Sequence, residues 1–151
     1  KSPNAIEFYQ NARKERADKM PVTVKTVLLF GQIMRARYGN YYSAKAQNLV
    51  RLLTGAYDEV FKQHDLIIMP TTPMKAHLIP PANATPATIL GNALDMLANT
   101  CPFDSTGHPS MSIPVGTSGG LPIGMMITGR MGEDDTVLRA AQAFEKLGSK
   151  R

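Results

Sequence analysis

The stretch LDMLANTCPFDSTGHPSMSIPVGTSGGLPIGMMITG, residues 94–129, decides how this chain folds. Its first residues close a helix. Over residues 88–98, Ile89, Leu90, Ala93, Leu94 and Leu97 recur at the spacing that puts them on one side of a 3.6-residue period. Thr106, Gly107, His108 and Pro109 then turn the chain. Residues 111–115 and 123–127 read as apolar strands joined by a Gly/Ser reversal at residues 116–120. Pro114 and Pro122 point to edge positions or bulges, because proline cannot donate to a sheet ladder.

Upstream, Leu66, Ile67, Ile68 and Met69 form a short continuous apolar run between Asp65 and Pro70, which suits a strand covered on both faces. Residues 75–86 hold Pro80, Pro81, Asn83 and Pro86 and read as an irregular loop. Before the strand the chain is helical. Residues 5–19 are mostly helix formers, stopped ahead of Pro21 because proline disfavours helical geometry in the residue before it. Residues 22–38 place Val24, Val27, Leu28, Gly31 and Met34 on one face, predicted to be buried, with Gly31 admitting a close backbone neighbour. After Gly39 and Asn40, Ser43 is predicted to cap a long helix with the stripe Ala46, Leu49, Val50, Leu53, Tyr57, Val60 and Phe61. Downstream, Glu133, Asp134 and Asp135 sit at the positive end of a last helix whose buried stripe is Val137, Ala141 and Phe144, ending at Gly148.

Helices before, between and after the strands define an α/β layered fold, about three strands flanked by helices. One domain is expected from 151 residues that are 43% hydrophobic and 19% charged. Three strands are few for a complete sheet of this class, which agrees with a missing half. A natural chain is expected to begin with Met or a small processed residue, so Lys1 reads as a fragment boundary. The net charge of +5 is spread along helix faces and interleaved with Glu7, Glu15 and Asp18, and no aromatic residue alternates with it, so no nucleic-acid partner is expected. No apolar run reaches the ~20 residues that span a bilayer, and residues 1–10 lack the apolar segment of a signal peptide. One cysteine excludes an internal disulfide and fits a reducing, cytoplasmic setting. His64, His77 and His108 are too scattered for a metal site, and no cofactor is expected.

Cys101, Asp104 and His108 offer a thiol, a carboxylate and an imidazole within eight positions. Catalytic Cys and His are normally delivered by distant segments, so Cys101 reads instead as a small buried apolar residue and His108 as a turn residue tied to a backbone carbonyl. The glycines and Ser118 of residues 116–120 lie between strands rather than ahead of a helix, which removes the dipole that favours anions. The ends of elements remain. Residues 65–73 and 99–109 place hydroxyl, amide and backbone groups where loops converge in α/β folds, although Thr71, Thr72, Asn99 and Thr100 would equally serve as caps.

The wording Ala98-Asn99-Thr100-Cys101-Pro102-Phe103-Asp104-Ser105-Thr106-Gly107-His108-Pro109 resembles the C-terminal part of amidase-signature enzymes. So do residues 65–73 (DLIIMPTTP), Tyr41-Tyr42 with Lys45, Ala46, Gln47 and Arg51, and residues 120–130 with Asp135 to Leu138 and Ala143 to Glu145. Within that family it is similar to amidases of nitrile metabolism more than to glutaminyl-tRNA amidotransferase subunits. The resemblance implies an α/β/α sandwich with a mixed sheet and hydrolysis of small aliphatic or aromatic carboxamides. It further implies an apolar acyl pocket with Leu94 and Leu97 as wall residues, joined by Asn99, Thr100, Thr71 and Thr72 as substrate-binding positions.

The family carries its chemistry on a Lys and two Ser residues in a Gly/Ser-rich stretch of the first half of a longer chain, and residues 1–151 contain no such stretch. The expectation is therefore the pocket-forming C-terminal portion of an amidase, with no catalytic residue of its own. It is inactive alone and partnered by the N-terminal half of the same protein, with room for a homodimer of the parent. The alternatives are the corresponding part of a glutaminyl-tRNA amidotransferase and a non-catalytic binding module.

Overall fold

The computed structural model describes residues 3–148; Lys1, read above as a boundary, lies outside them. The elements run in order α1 (Pro3–Arg16), a 3-10 turn (Ala17–Lys19), α2 (Val22–Tyr38), α3 (Tyr41–Phe61), β1 (Leu66–Pro70), α4 (Pro86–Asp95), α5 (Cys101–Thr106), β2 (Ser110–Ser118), β3 (Leu121–Gly129) and α6 (Asp134–Gly148). The architecture is mixed α/β, three strands flanked by helices, and the described strands pair in the order β1-β3-β2, antiparallel throughout.

β3 is central because both of its edges are used. Met125 to Gly129 pair with Pro70 to Leu66 on one side, while the whole strand pairs with β2 on the other. Side chains alternate across a strand, so Met125 and Ile127 face one way and Met126 and Thr128 the other. The first face meets α6: Ile113, Ile127, Val137 and Ala141 form a buried cluster, with Leu66, Met111, Met125, Ala140 and Phe144 packed against it. The amphipathic stripe expected of α6 therefore lands on the sheet. The second face, carrying buried Met126 and Thr128, lies towards Phe61 at the end of α3 and Phe103 and His108 around α5, all three rings buried. Arg130, just after β3, fastens these layers by donating from Nε to the Phe61 carbonyl at 2.7 Å and from a guanidinium NH2 to the Asp65 carboxylate at 3.1 Å.

The turn glycines behave as the strand reading requires. Gly119 and Gly120 are the two residues between β2 and β3 and both have positive φ, +61° and +77°, the combination that twists a two-residue hairpin in the sense of its strands. The register slips between Pro114 and Gly116, so a bulge accommodates Pro114, and Pro122 lies beyond the part of β3 that pairs with β1.

Several expectations need correction. β1 is not covered on both faces: it is an edge strand, α6 packs over β2 and β3, and Ile68 is 59% exposed. The face expected to be buried on α2 is open, since that helix has no buried residue and a Cβ at Gly31 would meet nothing within 4 Å. α3 starts at Tyr41, capped without a side-chain bond by Asn40 rather than by Ser43, and only Phe61 of its stripe is buried. α5 is an element the sequence reading lacks, although its signals are present: Thr100 ahead of it, Pro102 in its first turn and Gly107 closing it at φ +82° with its N–H on the Phe103 carbonyl at 2.8 Å.

Gly129 has no room for a side chain. A Cβ there would stand 2.8 Å from Val137 Cγ2, a branched group fixed in the buried cluster. Gly129→Ala is expected to lower the unfolding free energy of the chain by about 1–3 kcal/mol in urea titration. Gly31→Ala, in open helix, is expected to raise it by about 0.5–1 kcal/mol.

Candidate functional site

The segment between α4 and α5 brings the expected substrate-binding residues to one corner. α4 begins with Thr85, whose Oγ1 accepts from the Thr88 N–H at 3.2 Å, and at its far end Cys101 N–H donates to the Leu97 carbonyl at 2.9 Å. Asn99 reaches across the fold: its side-chain amide donates to the carbonyl of Pro70, the last residue of β1, at 2.8 Å. Neighbouring Thr71 holds its own N–H on the Gly124 carbonyl at 2.9 Å, and its hydroxyl meets that of Ser112 at 2.6 Å. Gly124 makes this meeting possible, because a Cβ at that position would come within 2.8 Å of both hydroxyl oxygens. Thr72 and Thr100 bond locally, to the carbonyls of Met74 at 2.7 Å and Leu97 at 3.4 Å, so their hydroxyls do act as turn caps.

Two concave surfaces adjoin this corner. One is an apolar groove of about 310 Å³ between α2 and α4, lined by Thr23, Val24, Val27, Leu28, Leu90, Ala93, Leu94 and Leu97. Leu94 and Leu97 are not core residues, being 59% and 45% exposed. The other is a cavity of about 270 Å³ where the Thr71, Thr100, Ser110 and Ser112 hydroxyls, Asp104 and His108 surround Met111, Met126 and Phe103. Leu97 lines the first and Thr100 the second, three residues apart. An apolar compartment and a hydroxyl-rich one thus share a single turn. Thr72 and Asn99 line neither; Asn99 fixes the turn against the sheet.

His108 has a different role from the one the sequence suggested. It ties down no carbonyl: Nδ1 pairs with the Thr106 hydroxyl at 2.8 Å and Nε2 with the Asp58 carboxylate of α3 at 3.3 Å. Its ring stacks on Phe61 with centroids 5.2 Å apart and meets Tyr57 edge-on at 5.7 Å. No spacing rule could have found Asp58, fifty residues away, although its offset of one from Tyr57 and three from Phe61 puts it beside them on α3. Both ring nitrogens are therefore engaged elsewhere than with Cys101. Cys101 is exposed rather than buried, because α5 turns Phe103 and Thr106 inward and leaves its first position outside. Among the described residues no group of three or more His, Cys, Asp or Glu could hold a metal ion, and no helix is long and apolar enough to cross a membrane.

With this fold and corner in place, the likenesses to known proteins become interpretable. A family model described as Amidase matches residues 3–138. The chain therefore belongs to the amidase family. It is 46% identical over 145 residues to an uncharacterized protein in the nthA 5' region of Rhodococcus erythropolis, covering 96% of this chain and 73% of that protein. It is 42% identical over 144 residues to an enantioselective amidase of Rhodococcus rhodochrous, covering 95% of this chain but only 28% of that enzyme. Among solved structures, a bacterial aryl acylamidase of the amidase-signature family superposes with a TM-score of 0.66 at 27% identity, over 95% of this chain and 31% of that one. A glutamyl-tRNA(Gln) amidotransferase subunit from Thermotoga maritima superposes with a TM-score of 0.60 at 31% identity, over 82% and 26%.

The buried imidazole and its exposed partner should differ in cost. His108→Ala removes a ring packed on Phe61 and strands the buried Thr106 hydroxyl, so a loss of about 2–4 kcal/mol is expected in urea titration. Asp58→Asn, at a carboxylate 55% exposed, is expected to cost less than about 1 kcal/mol.

Proposed function

We propose that this chain forms the substrate pocket of an amidase that hydrolyses small aliphatic or aromatic carboxamides to carboxylic acid and ammonia. The observation that carries the reading is the apolar groove flanked by Leu94 and Leu97, set beside a hydroxyl-lined cavity across the Leu97–Thr100 turn. Such an amide has the same two halves: a hydrocarbon group that gains from leaving water, and a carboxamide that needs both donors and acceptors. The groove takes the acyl group. The Thr71, Thr100 and Ser112 hydroxyls, each able to donate and accept, border the polar end, and Asn99 and Thr72 hold the backbone that positions them. The likeness to an enantioselective amidase and an aryl acylamidase supports a carboxamide substrate.

Bond breaking belongs to other residues. Acyl transfer needs an activated nucleophile and preorganised donors for the oxyanion, and no Gly/Ser-rich stretch with an upstream Lys occurs in residues 1–151. The chain spans 28% of the enantioselective amidase, and Phe30 of α2 and Leu52 of α3 are 62% and 71% exposed. Both facts support an N-terminal half of the same polypeptide lying against these helices and supplying the Ser-Ser-Lys machinery. A glutamyl-tRNA amidotransferase, favoured by the likeness to the Thermotoga protein, would need to hold the ammonium and carboxylate of glutamine. A groove whose only polar side chain is Thr23 offers neither charge a partner.

The test is ammonia release. The 151-residue chain alone is expected to release none from benzamide, propionamide or glutamine, and the full-length amidase carrying it is expected to prefer the first two to glutamine. Leu94→Asn in that enzyme is expected to raise KM for benzamide about tenfold with a smaller change in kcat. Ammonia release by the isolated chain that Cys101→Ala abolishes would overturn the reading.

A further inference from the structure

The groove has two walls, α4 with its leucines and α2 opposite. We propose that α2 is its specificity wall, with Val27 and Leu28 setting the width of acyl group that the site accepts; this rests on the reading of the groove as the acyl site. The two walls are held very differently. α4 is pinned at both ends, by the Thr85 cap and by the Leu97–Cys101 bond leading into α5, whose Phe103 is buried, and Asn99 ties the following turn to β1. α2 has no buried residue. It hangs between Pro21 and Gly39, the latter at φ +57°, and among the described residues no side-chain hydrogen bond joins it to α4. Lys25, donating from Nζ to the Asp18 carbonyl at 2.9 Å, fastens it to the preceding turn instead.

Only apolar contact sets the distance between the walls, so the side chains of α2 act as spacers. Thr23, Val24, Val27 and Leu28 face Leu90, Ala93, Leu94 and Leu97 at the i, i+1, i+4, i+5 positions of one helical face. The groove measures about 310 Å³, while a cavity of ~150 Å³ is enough to hold a benzene ring. One aryl group therefore fits with room to spare, and a change of a few methylenes on α2 moves the limit between aryl and short alkyl acyl groups. Val27, 65% exposed at the groove, can be enlarged without displacing core.

The experiment uses the full-length amidase carrying this chain and reads the ratio of kcat/KM for benzamide to that for acetamide. Val27→Phe is expected to lower the ratio about tenfold and Val27→Ala to raise it severalfold, the range that small changes in an apolar pocket produce. Leu94→Ala serves as the probe of the opposite wall. Should Val27→Phe fail to fold, Val27→Ala decides. A ratio that moves with Leu94→Ala but stays within about twofold for the Val27 variants overturns the role of α2 and leaves the groove as the acyl site. A ratio unmoved by all three means that the groove is filled by another part of the polypeptide, which removes the acyl-site reading together with this one.

Discussion

Everything in this structure hangs on Met125 to Gly129, the five residues of β3 that are hydrogen-bonded on both edges and covered on both faces. Backbone groups there cannot reach water, so β1 and β2 must satisfy them. Their side chains then commit the two helical layers: Ile127 draws α6 to one face, and Met126 and Thr128 lie on the other with Phe103 and His108. Fully burying a residue such as Ile127 contributes roughly 1.5–3 kcal/mol, and the 2.8 Å allowance at Gly129 shows how closely α6 approaches. The site inherits this order. The same strand runs back to Gly124, whose missing side chain lets Thr71 of the β1 end and Ser112 of β2 meet over it.

Local physics makes most of the elements legible. Pro21 and Gly39 bound α2 at the limits the structure shows, and the paired glycines at 119 and 120 mark the hairpin. α6 is readable because its apolar stripe meets a surface inside this chain. The burial of α2 and α3 departs from expectation for the converse reason: periodicity shows that a helix has an apolar face, not whether its partner is present. Resemblance and a shared helix face single out Leu94 and Leu97, yet nothing comparable singles out the opposing wall of α2, since no sequence rule joins Val27 to Leu94 across nearly seventy residues. Asp58 and His108 are invisible as a pair on the same ground. The three-residue separation between Leu97 and Thr100, by contrast, is plain in the sequence, and its meaning emerges only because each lines a different hollow.

The distribution of apolar surface ties stability to function. Among the described residues seven hydrophobic side chains are buried, while large ones on α2, α3 and the irregular stretch before α4 stand in solvent, Leu78 and Ile79 almost completely. Soluble domains seldom keep contiguous apolar faces of this extent uncovered. Under the proposed reading those faces are interior surface of a larger enzyme, and the sheet and α6 form the part whose order is complete within the chain. The division then runs between a self-sufficient layer that fixes geometry and helices whose packing is finished by polypeptide elsewhere.

Separating the groove from the reacting groups has a chemical logic. An enzyme gains rate only from interactions that are stronger in the transition state, yet binding energy from a remote hydrocarbon group can be spent on orienting the carboxamide and removing its water. For that to work the remote wall must be fixed relative to the nucleophile, or the acyl group would bind without directing the carbonyl. Asn99 supplies such a fixture within this chain: by holding the end of α4 on the Pro70 carbonyl, it couples the leucine wall to the sheet. α2 lacks that coupling, which is what a wall needs if it is to accept groups of different breadth without disturbing the register of the reacting end. A rigid wall for aim and a compliant one for breadth follow from which helix is hydrogen-bonded to β1 and which is not.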